Sequence, residues 1–331
     1  MSDADDAAID EMLADSDLVQ KATARLVRAL NYQPAIEKLT TIALDSTKSV
    51  EMRGTAIETM AVARAPRLQE AIDRAIMSET PALRIAAIRA MVEVKPNEKT
   101  TYDAIDAALK RPELEEQQAM IALLGSMKSS KAEKILTTWI DMLAKNNVPA
   151  ALALDVYEAA IASGSKTLKK QLGAVDSRLK KVPFGPFSLA LEGGDAKDGE
   201  TIFKTSTTGA CIQCHTMQAG LPSVGPDLSK VATRLPLDRI LRAVVDPQGE
   251  IAEGFGMVSA TLKNGSVVSG LVAKETGKEL VLRIPASPIT QTVVKKDIVS
   301  RTKPASAMPV MTSLLTRFEI RNLVAYLVTL N

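Results

Sequence analysis

The sequence predicts a mainly α-helical protein in which a helical solenoid precedes a second helical domain that carries a small β-rich insert. Apolar residues recur at three- and four-residue steps over roughly the first 180 residues, as amphipathic helices require. Related helical segments return at an interval typical of helical repeats. Between residues 256 and 299 the apolar period changes to two and β-branched residues become frequent, which predicts strands.

Composition narrows the possible partners. The chain has 46% hydrophobic and 24% charged residues and a net charge of +2. No cluster of Lys and Arg alternates with aromatic residues, so no nucleic-acid partner is expected. No run of 18 apolar residues occurs, so no transmembrane segment is expected. Residues 1–17 are acidic and are expected to be flexible.

The repeat pattern lies within residues 18–180. Residues 53–60 (RGTAIETM) match residues 84–91 (RIAAIRAM) at an offset of 31 residues, and residues 118–124 continue the pattern with a small drift. Helix pairs at this interval predict an α-solenoid, and the segment at 82–91 resembles HEAT repeats. An irregular helical bundle with the same periodicity stays open as an alternative.

Residues 181–193 are predicted to be a linker because Pro and Gly are frequent there. The second domain is predicted over residues 194–331, with helices at 198–204, 237–245 and 316–330. Thr316, followed three residues later by Glu319, is typical of a helix capping box. Asn264-Gly265, between two strand patterns, predicts a type I′ hairpin.

The chemistry is concentrated in one motif. The chain contains two cysteines and one histidine, and all three lie in Cys211-Ile-Gln-Cys214-His215. C-x-x-C-H is the attachment signature of c-type haem. The two thiols add to the two vinyl groups at one edge of the macrocycle, and the adjacent histidine reaches the iron from one face. We therefore expect one covalent haem c on Cys211 and Cys214, with His215 as the proximal iron ligand.

Other interpretations of the motif explain less of it. A structural zinc site requires four Cys or His ligands, and the chain has three. A thioredoxin-like pair would follow a strand in a βαβ unit and needs no adjacent histidine. A disulfide across four residues would be strained and would leave His215 unexplained. A chance occurrence is improbable when the motif uses every Cys and His of the chain.

A six-coordinate haem iron needs a second axial ligand, and methionine is the natural soft donor. The chain has 13 methionines. Met308 and Met311 lie in an irregular segment before the last predicted helix, and Pro309 holds the backbone of Met308 extended. Met308 is the expected distal ligand and Met311 its rival. An open iron site, with Met308 only packing nearby, is the third possibility.

Five segments together resemble the class I cytochrome c pattern. They are 199–203 (GETIF), 211–215 (CIQCH), 225–228 (GPDL), 306–309 (SAMP) and 322–327 (NLVAYL). They are most similar to the planctomycete/verrucomicrobial-type haem-binding domain. In that family a small β-rich insert precedes the methionine loop.

The resemblance covers roughly residues 193–331 and implies a cytochrome c-like haem domain, with the insert at about 255–303. It implies that Gly225 and Pro226 belong to the cofactor site, the Pro226 carbonyl accepting the ring N–H of His215, and that Met308 is the distal ligand.

The resemblance also implies that the first and last helices of this domain cross. Gly199, Phe203, Tyr326 and Leu327 would form that crossing and would pack without taking part in chemistry.

The expected function is single-electron transfer by a c-type cytochrome that is not an enzyme by itself. Its partner would be a redox protein or a dehydrogenase domain, with the helical repeats as scaffold or docking surface. A haem-containing interaction or sensor protein remains open. A haem peroxidase is disfavoured because the chain has no second histidine.

A c-type haem is attached outside the cytoplasm, so a periplasmic or otherwise exported protein is expected. The acidic start of the chain does not have the pattern of a signal peptide. Either a leader is absent from this numbering, or the chain is a piece of a larger exported protein.

Overall fold

The computed structural model describes residues 32–94, 98–206 and 211–331, with a few positions between 7 and 30. It is mainly helical, with a small antiparallel sheet near the C-terminus, which confirms the coarse fold prediction. The predicted flexible segment 1–17 lies largely outside the described residues. The α-helices are α1 Gln33–Leu44, α2 Val50–Ala63, α3 Leu68–Ile76, α4 Pro81–Glu93, α5 Glu98–Ala108, α6 Leu114–Ser126, α7 Ser130–Ala144, α8 Ala150–Ala162, α9 Lys166–Leu179, α10 Ala196–Thr205, α11 Cys211–Cys214, α12 Val231–Arg234, α13 Leu237–Val245 and α14 Arg317–Leu327.

The chain divides into two compact units. One unit comprises residues 1–148 and 155–173, and the other comprises residues 149–154 and 174–331. In the described part of the chain, no helix combines the length and apolarity needed to cross a membrane.

In the first unit, consecutive helices from α1 to α4 pack on one another, as do those from α5 to α7, and α2, α4 and α6 pack side by side. Small residues allow this close approach. A Cβ added at Gly54 in α2 would lie 3.5 Å from Ala86 of α4, and one at Gly125 in α6 would lie 2.8 Å from the Ala159 backbone in α8. Gly54 and Ala86, both positions of the sequence pattern, therefore lie where two helices approach each other.

The matched arginines of the sequence repeat have similar surroundings. The Arg53 Nε donates to the Ala43 carbonyl at 3.4 Å, and the Arg84 Nη1 donates to the carbonyls of Ser78 and Glu79 at 2.9 Å each. Each arginine thus contacts backbone at or after the end of the preceding helix. Arg84 also forms a buried ion pair with Glu116 of α6 at 2.7 Å.

In the second unit, α10 and α14 cross closely. Gly199 makes this possible because an added Cβ would lie 1.9 Å from the Asn322 carbonyl oxygen and 2.8 Å from Tyr326 Cβ. The rings of Phe203 and Tyr326 pack with their centroids 5.6 Å apart. Leu327, which follows Tyr326 on α14, is also buried. Thr316 and Glu319 form the expected capping box of α14.

The sheet has the strand order β4-β3-β2-β1-β5, with β6 pairing with β1, and all its pairs are antiparallel. A short β6 follows the predicted insert and pairs with Gly256 and Met257. Four buried side chains form the sheet's core: Val258, Leu280, Leu282 and Val293. The strands are β1 Gly256–Leu262, β2 Val267–Glu275, β3 Glu279–Arg283, β4 Thr290–Val294, β5 Ile298–Arg301 and β6 Ala305–Ser306.

The hairpin between β1 and β2 is present, but the predicted turn type is wrong. A type I′ turn needs positive φ at both central residues. Here Gly265 has a φ of 81°, and Asn264 is not among the residues with positive φ. The Gly265 N–H donates to the Leu262 carbonyl at 2.9 Å, and the Leu262 N–H donates to Ser266. The connection is a three-residue loop with glycine in the left-handed position, so the Asn264 side chain can accept from the Ser266 N–H at 3.0 Å.

Candidate functional site

The cysteines of the motif lie at the two ends of a single helical turn, α11. The His215 N–H donates to the Cys211 carbonyl at 2.9 Å, which continues this turn and brings the histidine beside the thiols. Both thiols are free and half-buried, and both line one cavity. Burial raises the pKa of the Cys211 thiol above its usual value. The site therefore presents two thiol groups and an imidazole to the same space.

The protonation of His215 follows from its hydrogen bond. Its Nδ1 lies 2.8 Å from the Pro226 carbonyl oxygen, as the resemblance to class I cytochromes c implies. Because a carbonyl can only accept, Nδ1 carries the proton. Burial lowers the pKa of His215 below its usual value, against a smaller opposing effect of the Pro226 carbonyl. The neutral ring keeps the lone pair of Nε2, which is the form that binds a metal.

Gly225 is required by the position of the imidazole ring. A Cβ at this residue would lie 2.6 Å from Cε1 of His215 and 2.8 Å from Nδ1. The Gly225 N–H donates to the Cys214 carbonyl at 2.8 Å, and the Ser223 hydroxyl donates to the Gly225 carbonyl at 2.6 Å. The loop therefore lies flat against one side of the histidine and is tied to the C-x-x-C turn.

The cavity beside these groups has a volume of about 390 Å³. This lies within the ~300–1,000 Å³ range of small-molecule and cofactor sites. Most of its lining side chains are apolar, which suits a flat hydrophobic macrocycle. They include Phe203, Val231, Ile240, Phe255, Leu323 and Leu327.

Both candidate distal ligands line the same cavity, but they differ in burial. Met311 is only 1% exposed and begins a 3₁₀ turn, where its carbonyl accepts from Leu315 at 2.8 Å. Met308 is half-buried in an irregular segment, and its N–H donates to the Ser306 hydroxyl at 3.2 Å. Met311 therefore has the environment of a core residue, whereas the Met308 side chain lines the cavity and is partly accessible to solvent.

Two residues that the sequence analysis did not identify form hydrogen bonds to the backbone of loops that contribute to the cavity lining. Gln248 forms a reciprocal pair of hydrogen bonds with the backbone of Ser306, and Arg283 of β3 donates to the Ser223 carbonyl at 3.2 Å. These contacts join residues 58 and 60 positions apart. No local signal in the sequence could have found them.

Charged residues also line the cavity. The Arg239 guanidinium pairs with the Glu250 carboxylate, and Arg234 donates to the carbonyls of Lys230 and Asp227. Arg242 is the third lining arginine. Its Nε is buried and has no hydrogen-bond partner among the described residues.

Within the described ranges, no group of three or more His, Cys, Asp and Glu side chains is arranged to hold a metal ion. No protein-family model matches this chain.

Proposed function

We propose that this protein is an electron-transfer protein that carries one haem c, bound covalently through Cys211 and Cys214. The observation that carries the proposal is the arrangement around His215: a neutral imidazole with an available Nε2 beside two free thiols and a largely apolar cavity. When bound, haem supplies a ferric/ferrous couple for single electrons. His215 and Met308 would be its axial ligands.

The residues around the motif have distinct roles in this proposal. The Pro226 carbonyl orients the His215 ring and makes its Nε2 a stronger donor. Gly225 leaves the space that the ring occupies. The apolar cavity walls would exclude water from the macrocycle. A thioether donor at Met308 would raise the reduction potential relative to a nitrogen ligand.

In the first experiment, the chain is directed out of the cytoplasm and expressed together with the c-type haem attachment machinery. Haem that stays with the polypeptide after acidic organic extraction would support the proposal. The matched variants are Cys211→Ser and Cys214→Ser, which should each retain a single thioether, and the double variant, which should retain none. Wild-type protein without covalent haem, or a double variant that keeps it, would contradict the proposal.

The first unit and the location of the protein follow the same proposed function. Residues 18–180 would form a HEAT-like solenoid that serves as scaffold or docking surface for the redox partner, and residues 194–331 would form the cytochrome c-like haem domain. The side-by-side packing of α2, α4 and α6 and the similar contacts of Arg53 and Arg84 support repetition. Because c-type haem is attached outside the cytoplasm, we place the protein in the periplasm or another exported compartment.

Cross-linking tests the docking role of the helical repeats. The complete haem-loaded chain would be cross-linked to its redox partner, and the linked lysines would be identified by mass spectrometry. Links from lysines within residues 18–180 would support docking there. Cross-links confined to residues 194–331 would contradict docking and indicate that the repeats act only as a spacer.

A further inference from the structure

Arg242 lies in α13 and lines the candidate haem cavity. Its side chain is half-buried, and its Nε is fully shielded from solvent. No acceptor for this N–H is present in the part of the chain that the structure describes. A buried guanidinium N–H without an acceptor loses its hydration and gains nothing in return. The Arg242 Nε–H is therefore available to an acceptor from outside the described residues.

The other two arginines of the cavity differ from Arg242 in this respect. Arg239 forms an ion pair with Glu250, and Arg234 donates hydrogen bonds to two backbone carbonyls. Among the described residues, the charged side chains that line the cavity are these three arginines and one glutamate, so positive charge is in excess there. An anionic ligand group would both balance this charge and satisfy the Arg242 Nε–H.

We propose that Arg242 binds a carboxylate of the haem, donating a charge-assisted hydrogen bond from Nε. This inference rests on the proposed function, since haem brings two propionate carboxylates into an otherwise apolar cavity. Guanidinium and carboxylate form short, strong and directional pairs. The interaction would keep the carboxylate ionised, because a neighbouring positive charge lowers the pKa of a carboxyl group.

The pair has a consequence for the iron. With Arg242 present, the guanidinium and the carboxylate sum to zero charge across the neutral pH range. With Arg242→Gln, the carboxylate loses its partner and its pKa rises. It is then neutral at low pH and negative at high pH, and a negative charge near the iron stabilises the ferric state.

The experiment is a measurement of the reduction potential of the haem-loaded full chain between about pH 5 and pH 8. Arg242→Gln should match the wild type at the acid end and fall progressively below it as the pH rises. Arg234→Gln is the matched control, because it removes the same charge from a residue whose acceptors are neutral carbonyls. It should shift the potential by a similar amount at every pH.

Arg242→Lys is the second variant and guards against a folding defect in Arg242→Gln. It keeps the charge and should restore most of the flat profile. The proposal is overturned if Arg242→Gln, with covalent haem and an unchanged axial-ligand spectrum, has the same pH profile as Arg234→Gln. That result would leave the proposed function intact. Absence of covalent haem from the wild type would instead overturn both proposals.

Discussion

Gln248 and Ser306 form a reciprocal pair across the loop that carries the expected distal ligand. The Gln248 Nε2 donates to the Ser306 carbonyl at 3.0 Å, and the Ser306 N–H donates to the Gln248 Oε1 at 2.9 Å. The Ser306 hydroxyl then accepts from the Met308 N–H. The side chain that follows α13 thus fixes the backbone two residues before Met308.

Gln248→Ala should loosen the ligand without removing it. Hydrogen bonds of this kind contribute about 0.5–1.5 kcal/mol each, so the open form of the loop should become roughly ten-fold more populated. The measurement is the rate at which carbon monoxide binds to the reduced haem-loaded protein, which should rise because Met308, as the proposed ligand, would dissociate more often. Gln291→Ala, at an exposed position of β4, is the control and should have no effect. An unchanged rate in Gln248→Ala would argue against this role.

The two methionines are distinguished by a pair of alanine variants. Met308→Ala should abolish the weak red absorption band of methionine-ligated ferric haem, with a small effect on stability, because its side chain is half-buried. Met311→Ala should retain the band and lower the free energy of unfolding by about 2–5 kcal/mol, because it leaves a cavity in packed surroundings. Optical spectra and denaturant titrations measure the two effects. Loss of the band in Met311→Ala alone would assign the ligand to Met311.

Gly225→Ala tests the fit between the loop that contains Gly225 and Pro226 and the imidazole ring of His215. The new methyl would overlap the His215 ring, so ring or loop must move and the Nδ1–Pro226 hydrogen bond should weaken. We expect a loss of about 1–3 kcal/mol of stability, as for other overpacked sites, and a reduction potential different from the wild type. Gly173→Ala is the control, because an added Cβ there meets nothing within 4 Å. That helical substitution should be neutral or stabilise by up to about 1 kcal/mol. Equal effects of the two substitutions would contradict this account.

Arg283 connects the sheet to the loop that contains Ser223 and Gly225. Its guanidinium donates to the Ser223 carbonyl and lies 5.4 Å from the centre of the Phe255 ring. Arg283→Gln should therefore cost about 1–2 kcal/mol, combining one hydrogen bond with one cation–π contact. Denaturant unfolding measures the cost, and an altered reduction potential would show that the change reaches His215. A stability loss with an unaltered potential would limit Arg283 to a structural role.

The buried ion pair of the first unit should make stability depend on pH. Burial raises the pKa of Glu116, but hydrogen bonds and charge from Arg84 and Arg111 outweigh this effect, so the net pKa is lowered. A carboxyl group with a lowered folded-state pKa contributes stability above its unfolded pKa of about 4.3, and this contribution is lost as the pH falls through the folded value.

Glu116→Gln should remove that part of the acid dependence and cost about 3–5 kcal/mol at neutral pH, because buried Arg84 loses its partner at 2.7 Å and keeps only the more distant Glu113 carboxylate at 3.9 Å. Free energies of unfolding measured between pH 7 and pH 3 test both effects. Glu70→Gln is the control, since its ion pairs are exposed and contribute at most about 1 kcal/mol. Wild type and Glu116→Gln with parallel pH profiles would contradict the assignment.

Local patterns predicted much of the secondary structure. The helix expected at 237–245 is present as α13, and the capping box at Thr316 is present because both of its partners lie within four residues. The β1–β2 turn was predicted with the wrong type. Asn-Gly is compatible with several turns, and the pairing register of Thr261 with Val267 leaves room for a three-residue loop.

The sequence by itself determined the C-x-x-C-H motif and the helical and strand periods, because these depend on residues within one or two turns of each other. Only the tertiary structure decided that Nε2 is the available nitrogen of His215, since the carbonyl that holds Nδ1 comes from a loop eleven residues away. It also showed that the Met311 side chain is buried, whereas the Met308 side chain is half-buried. Packing alone placed the Arg242 guanidinium in the cavity wall, because long-range contacts depend on the path of the whole chain.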